Sequence, residues 1–246
     1  FSEKYERQST ALSSDLSADI TDDFFLQGAI RYEDYSDFDA ETVVKVAGLY
    51  RLTDDFAIRG SMGTGFRAPT PGQQGTINVS TRLPNGFPVA TGLFPAGGPV
   101  AQALGASPLT PETSTNYTIG FTANIAELDL TVDFYRINLD DATYAISTRD
   151  VSTDPTSGEA YQNFLLLDSA GVAGANSIGG VLYFTNGFDV STEGVDIVAS
   201  YPLNWSAGST NLSMALSYNK KAFESDPSAF RNEEAQFDYV NYNPNW

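Results

Sequence analysis

The sequence predicts an all-β protein, an antiparallel transmembrane β-barrel segment of about eight strands with long extracellular loops. Three observations carry that prediction. Apolar and polar residues alternate in segments of about ten, the period-2 pattern of strands whose two faces meet different surroundings. The polar face is made of Ser, Thr, Asn and Gly with few charges, which suits a wet or protein-filled lumen better than the Lys- and Glu-rich exterior of a soluble sandwich. Tight turns and long connections take turns along the chain, so all the tight turns fall at one end of the sheet.

Leu12, Leu16 and Ile20 mark the first strand. From Phe24 to Glu33, Phe24, Leu26, Gly28, Ile30 and Tyr32 share one face, and Phe25, Gln27, Ala29, Arg31 and Glu33 the other. Thr42 to Leu52 repeats the pattern, with Val44, Val46, Tyr50 and Leu52 opposite Lys45, Ala47 and Arg51. Phe56, Ile58, Met62 and Phe66 then oppose Ala57, Arg59, Ser61, Gly63 and Gly65. The clearest alternation runs from Thr113 to Ile125, where Tyr117, Ile119, Phe121 and Ile125 stand against Ser114, Asn116, Thr118, Thr122 and Asn124. Leu128, Leu130, Val132 and Phe134 follow against Asp129, Thr131 and Asp133. Two later strands place Val195, Ile197, Ala199 and Tyr201, and Leu212, Met214, Leu216 and Tyr218, on their apolar faces.

Thr21-Asp22-Asp23, Thr53-Asp54-Asp55, Ala126-Glu127 and Pro202 to Ser209 are the short links, and Asp34 to Glu41, Arg67 to Pro111, Ala145 to Gly180 and the stretch after Asn219 are the long ones. Arg67 to Pro111 holds eight of the twelve prolines and no acidic residue, and reads as a mobile surface loop whose Phe87, Leu93 and Phe94 are candidates for contact with a ligand or with the lumen filling. Gly158 to Ala173 has room for one short helix on Phe164, Leu165 and Leu167.

Composition narrows the chemistry. Among 246 residues, 13 Lys+Arg against 31 Asp+Glu give a formal charge of −18, which argues against nucleic-acid binding because phosphate contacts need a basic face. With no His and no Cys, His-dependent triads, thiolate metal sites and disulfides are excluded. No run approaches the ~18 apolar residues of a spanning helix. The acidic hairpin Asp34, Asp37, Asp39 and Glu41 offers oxygen ligands but no EF-hand spacing, and reads as a solvated loop with no metal. Nothing singles out a catalytic carboxylate pair, and Gly60 to Gly65 has no following Lys to make a phosphate cradle. No cofactor site and no catalytic residue is expected. Both ends, Phe1 and Trp246, read as cuts in a longer protein.

Four segments then stand in a familiar order. Arg31-Tyr32-Glu33-Asp34-Tyr35-Ser36-Asp37-Phe38 is followed by Gly65-Phe66-Arg67-Ala68-Pro69 and by Pro111-Glu112-Thr113-Ser114-Thr115-Asn116-Tyr117-Thr118-Ile119-Gly120. Thr185-Asn186 and Gly194-Val195-Asp196 come last. Together they resemble the β-barrel of TonB-dependent outer-membrane receptors. The resemblance implies that residues 1–246 are a partial barrel domain, one portion of a barrel of about 22 strands, with the plug domain, the TonB-binding segment and the other strands outside this chain. It further implies active import of a scarce solute, a ferric siderophore or similar chelate, across a Gram-negative outer membrane. The implied partners are the TonB complex, acting through the plug, outer-membrane lipid and lipopolysaccharide, and the small-molecule or metal-chelate ligand.

In that family, lumen acids on two strands pair with plug arginines. Asp196 matches one such position and Thr118 stands at the other, and Asp196 reads equally well as a lumen acid hydrogen-bonded to its neighbours. Arg31, Arg59, Arg67, Asn116 and Thr118 complete the candidate lumen set. The arginines are placed either to attract an anionic chelate or to pair with Glu33 and other local acids. The competing expectations are a passive porin or adhesin barrel, and a secreted acidic β-sandwich that binds or acts on carbohydrate.

Overall fold

The computed structural model describes residues 6–83 and 88–226. In chain order its elements are β1 (Ser9–Asp19), β2 (Phe24–Tyr35), β3 (Glu41–Thr53), β4 (Phe56–Arg67), α1 (Pro71–Gly75), β5 (Asn78–Arg82), β6 (Val89–Leu93), α2 (Pro99–Ala103) and β7 (Glu112–Ile125). There follow β8 (Leu128–Asp140), β9 (Thr143–Ala145), β10 (Arg149–Asp150), α3 (Glu159–Ser169), β11 (Ile178–Leu182), β12 (Phe184–Asn186), β13 (Val190–Trp205) and β14 (Gly208–Phe223).

Eight strands form one antiparallel sheet in the order β1-β2-β3-β4-β7-β8-β13-β14. β1 and β14 do not pair with each other, so the sheet is an open wall, as a portion of a larger barrel requires. The tight turns all lie at one end. Thr21-Asp22-Asp23 and Thr53-Asp54-Asp55 use one device twice: Thr21 Oγ1 accepts from the Phe24 and Asp23 amides at 3.0 and 3.3 Å, and Thr53 Oγ1 from the Asp55 amide at 3.3 Å. In the two-residue hairpin Ala126-Glu127, Ala126 takes φ 55°, the left-handed conformation that such turns demand. β13 and β14 run farther than the alternation alone reaches, meeting at the pair Trp205–Gly208, so the last turn is shorter than the expected Pro202 to Ser209.

The register lines up two kinds of row. Phe24, Tyr50, Ile58, Phe121, Val132, Ile197 and Leu216 are successive partners across seven strands, and make an apolar band on the outer face. Along the same face Leu16 is 76% exposed and Ile119 67%, a large uncovered apolar surface of the kind an outward barrel face presents. One residue along, on the inner face, the row is Phe25, Leu49, Arg59, Gly120, Asp133, Asp196 and Ser217.

The principal packed core lies mostly beyond this wall, which contributes Val190 of β13 to it, with Leu139 and Phe223 packed alongside. Leu104, Tyr144, Ile146, Leu167, Val181, Tyr183 and Phe188 belong to one buried cluster drawn from the two long connections. The expectation of a mobile surface loop from Arg67 to Pro111 is therefore corrected. That segment contains α1, β5, β6 and α2, and β6 pairs in parallel with β11 of the other long connection to give a four-stranded sheet, β10-β11-β6-β5. The reason is non-local: β6 and β11 are five residues each, too short to show a period, and their partners stand far apart in sequence. The short helix foreseen on Phe164, Leu165 and Leu167 is α3, with Leu167 fully buried and Phe164 packed against the cluster. Inside this cap Arg149 donates to Leu104 O and, at 2.6 Å, to Asn163 Oδ1, while Asn163 Nδ2 donates to Asp150 O at 2.8 Å.

Candidate functional site: lumen groove, rim clasp and loop cap

On the lumen face Arg59 reaches from β4 across β7 to Asp133 on β8, with Nε to Oδ1 at 2.9 Å and Nη2 to Oδ2 at 2.5 Å. This fork-on-fork geometry suits guanidinium and carboxylate. It passes over Gly120, where a Cβ would collide with the Asp133 carboxylate and the Val132 carbonyl. Asp196 is the register partner of Asp133 on β13 and accepts a hydrogen bond from Ser217 Oγ at 2.6 Å. A concavity of about 610 Å³ collects Arg59, Asn116, Thr118 and Asp196, together with Lys45, Asp133 and Tyr135. Four of the residues picked from sequence thus share one groove.

Arg31 and Arg67 stand apart from it. Arg31 pairs with Glu33 two residues on, and Tyr35 donates to the same carboxylate. Arg67, the last residue of β4, makes a bidentate pair with Glu112, the first of β7, with Nε to Oε2 at 2.8 Å. Glu112 is only 3% exposed and also accepts the Thr143 amide at 2.6 Å. Beside it Asn186 holds the Thr110 backbone from both sides: Oδ1 accepts its N–H and Nδ2 donates to its C=O, each at 2.8 Å. Asn186 Nδ2 also donates to Asp141 O at 2.9 Å. Three of the sequence segments noted above therefore converge at the rim through Arg67, Glu112 and Asn186. None of these contacts was visible as spacing, since each joins residues tens of positions apart.

In the acidic hairpin, Arg7 grips Asp37, with Nε to Oδ1 at 3.0 Å and Nη2 to Oδ2 at 2.8 Å. Its guanidinium carbon lies 5.2 Å from the Phe38 ring centroid and 5.7 Å from that of Tyr35. Among the described residues no group of three or more acids is disposed to hold a metal ion. Phe94 lines a second cavity, of about 1110 Å³, in the cap. Phe87 lies outside the described residues. Within the cap, Tyr144 stacks on Phe188 at 4.7 Å, and burial pushes its hydroxyl well above the ordinary phenol range.

Comparison with known proteins agrees with this architecture. No curated protein matches the sequence. The siderophore receptor PirA of Pseudomonas aeruginosa is similar over 87% of this chain and 32% of its own, at 17% identity and TM-score 0.58. The FrpB iron transporter of Neisseria meningitidis (F3-3 variant) is similar over 88% of this chain and 26% of its own, at 15% identity and TM-score 0.52. The RagAB peptide importer in its open-open state is similar over 89% and 22%, at 13% identity and TM-score 0.58. The chain thus spans a third or less of the length of these structures, and at such identities the likeness is one of fold. The family described as TonB dependent receptor-like, beta-barrel, matches residues 1–246 throughout, and the chain belongs to that family.

Proposed function

We propose that the complete receptor imports a scarce solute across a Gram-negative outer membrane, drawing energy from the TonB complex through a plug domain outside this chain. The observation that carries the reading is the wall itself: a lipid-compatible outer face, a polar inner face holding the groove around Arg59, Asp133 and Asp196, tight turns at one end and a folded cap at the other. A polar lumen in a barrel of this class is occupied by water or protein. Asn116, Thr118 and Asp196 are then the residues that face the plug, and Arg31 and Arg67 are held by local acids rather than free for an anion. The outer apolar band meets membrane lipid, with lipopolysaccharide beyond it. Two of the similar structures are described as an iron transporter and a siderophore receptor, and a ferric chelate is the solute class to test first.

The test is uptake of radiolabelled ferric chelates by the source organism, with and without the intact gene and with and without a protonophore. The expected result is gene-dependent accumulation that the protonophore abolishes. Gene-dependent uptake that persists with the protonophore would establish a passive porin instead, and a receptor-independent rate would remove transport of these chelates.

A further inference from the structure

We propose that the cap contains a preformed binding cavity for an uncharged, largely apolar small molecule, or for the uncharged apolar part of a larger solute. The cavity holds about 1110 Å³ and lies between the first long connection and the approach to β11. Its apolar wall includes Ile77, Val79, Phe94, Val100, Leu109 and Ile178. Among the described residues, Gln74 and Ser177 carry the only polar side chains in the lining, and no ionisable group contributes.

Charge decides the class of occupant. The chain carries −18 overall, and the lumen groove, by contrast, is lined by Lys45, Arg59, Asp133 and Asp196, while a further concavity of about 680 Å³ includes Arg136, Glu193 and Lys220. An ion entering the cap cavity would shed its hydration with no counter-charge to meet it, whereas an apolar group gains by leaving water. The volume slightly exceeds the range of small-molecule sites, roughly 300–1,000 Å³, leaving room for one such molecule. The walls are also fixed in advance. Phe94 and Val100 pack on the buried cluster to which Ile178 belongs, the β6–β11 pairing joins the two long connections, and Pro95, Pro99 and Pro108 restrict the lining backbone. A preformed wall spares the ligand the cost of ordering it. The biological setting of the cavity rests on the transport reading; its binding chemistry does not.

The experiment uses the complete receptor in lipid nanodiscs, a neutral photoreactive probe, 3-azioctanol, and the matching azioctanoate, with labelled peptides located by mass spectrometry. Saturable labelling of peptides covering residues 74–109 and 173–178 is expected from the alcohol, at least tenfold above the carboxylate. A Cβ at Gly97 would meet open space, so Gly97→Trp is expected to fill the cavity and remove cap labelling, while Gly97→Ala retains it. Labelling of the lipid-facing strands by the alcohol should be the same in all variants and shows that each is assembled. Val79→Asp, which adds a charge to the wall, should also abolish cap labelling and stands in if the Trp variant fails to assemble. Equal labelling by the carboxylate, labelling indifferent to both substitutions, or an unlabelled cap because another part of the receptor covers it, would each overturn the proposal. Because uptake is not measured, a failed transport assay leaves this result untouched, and a failed labelling leaves energised uptake untouched.

Discussion

Arg59 and Asp133 are joined by a two-pronged ion pair that spans an intervening strand, and it exists because the residue between them is Gly120. Gly120→Ala is expected to destabilise the barrel by about 1–3 kcal/mol, through a clash that displaces the carboxylate and presses on the Val132 carbonyl. Asp133→Ala alone should cost less, since Arg59 stays 42% exposed and can be solvated. Combined with Gly120→Ala it should recover part of the loss, a coupling of about 0.5 kcal/mol or more. Thermal unfolding of the purified receptor, followed by the gel shift between folded and heat-denatured barrel, measures all three. Strict additivity would show that the glycine acts elsewhere.

The faces of β7 make the second prediction. Ile119 stands on the exposed apolar outer face and its neighbour Thr118 lines the lumen groove. Ile119→Lys should weaken assembly by ~2–4 kcal/mol if it lies near the bilayer midplane, whereas Thr118→Lys should assemble nearly as wild type. Outer-membrane yield and the folded-barrel gel shift report the difference. The reverse order of the two variants would turn the wall inside out.

At the rim, Asn186 satisfies both backbone groups of Thr110 and one carbonyl of Asp141 with a single side chain. Asn186→Ala should release that clasp at a cost of about 0.5–1.5 kcal/mol, the net worth of a hydrogen bond whose freed partners, being exposed, can be re-solvated. The loss is local. Amide hydrogen exchange should quicken around residues 108–112 and 141–145 and stay unchanged in β2 and β3.

Arg67 and Glu112 differ in exposure, 58% against 4% for their side chains, so the two halves of the pair are not equivalent. Arg67→Ala strands a nearly buried carboxylate that keeps Thr143, through its amide and its side chain, but loses its counter-charge, while Glu112→Gln keeps a polar group able to accept from that amide. The arginine variant should therefore unfold at the lower temperature of the two. Equal melting temperatures would mean that the carboxylate is re-solvated when its partner is removed.

The wall was legible because its information is local. Alternation from Phe24 to Leu52 or from Thr113 to Phe134 assigns each residue to a face without knowing its neighbours, and the repeated Thr-Asp-Asp turns mark the ends. The groove was half legible: Arg59, Asn116, Thr118 and Asp196 were assigned by face, but Asp133 became Arg59's partner only when register placed Gly120 between them. Of the cap, only α3 was legible, through Phe164, Leu165 and Leu167. β6 finds β11 across an intervening pair of long strands, and five-residue segments such as Val89–Leu93 carry too few positions to declare a period. Glu112 and Asn186 failed to stand out for the same reason, as their partners are set by the way the strand ends assemble.

That division of the chain into wall and cap leads to the last prediction. Leu167 is fully buried in the cap cluster, to which the wall lends Val190 of β13 but no residue of the outer apolar band. Leu167→Ala removes three heavy atoms from a packed site and should cost the cap ~2–5 kcal/mol. The wall holds its shape by continuous strand pairing, so it should assemble as before. Limited proteolysis of intact cells is expected to cut the variant within residues 145–180 at a rate at least tenfold above wild type, while the folded-barrel gel shift is retained. If assembly failed together with the cap, the two units would be one cooperative fold, and the long connections would be part of what holds the barrel wall rather than a structure built upon it.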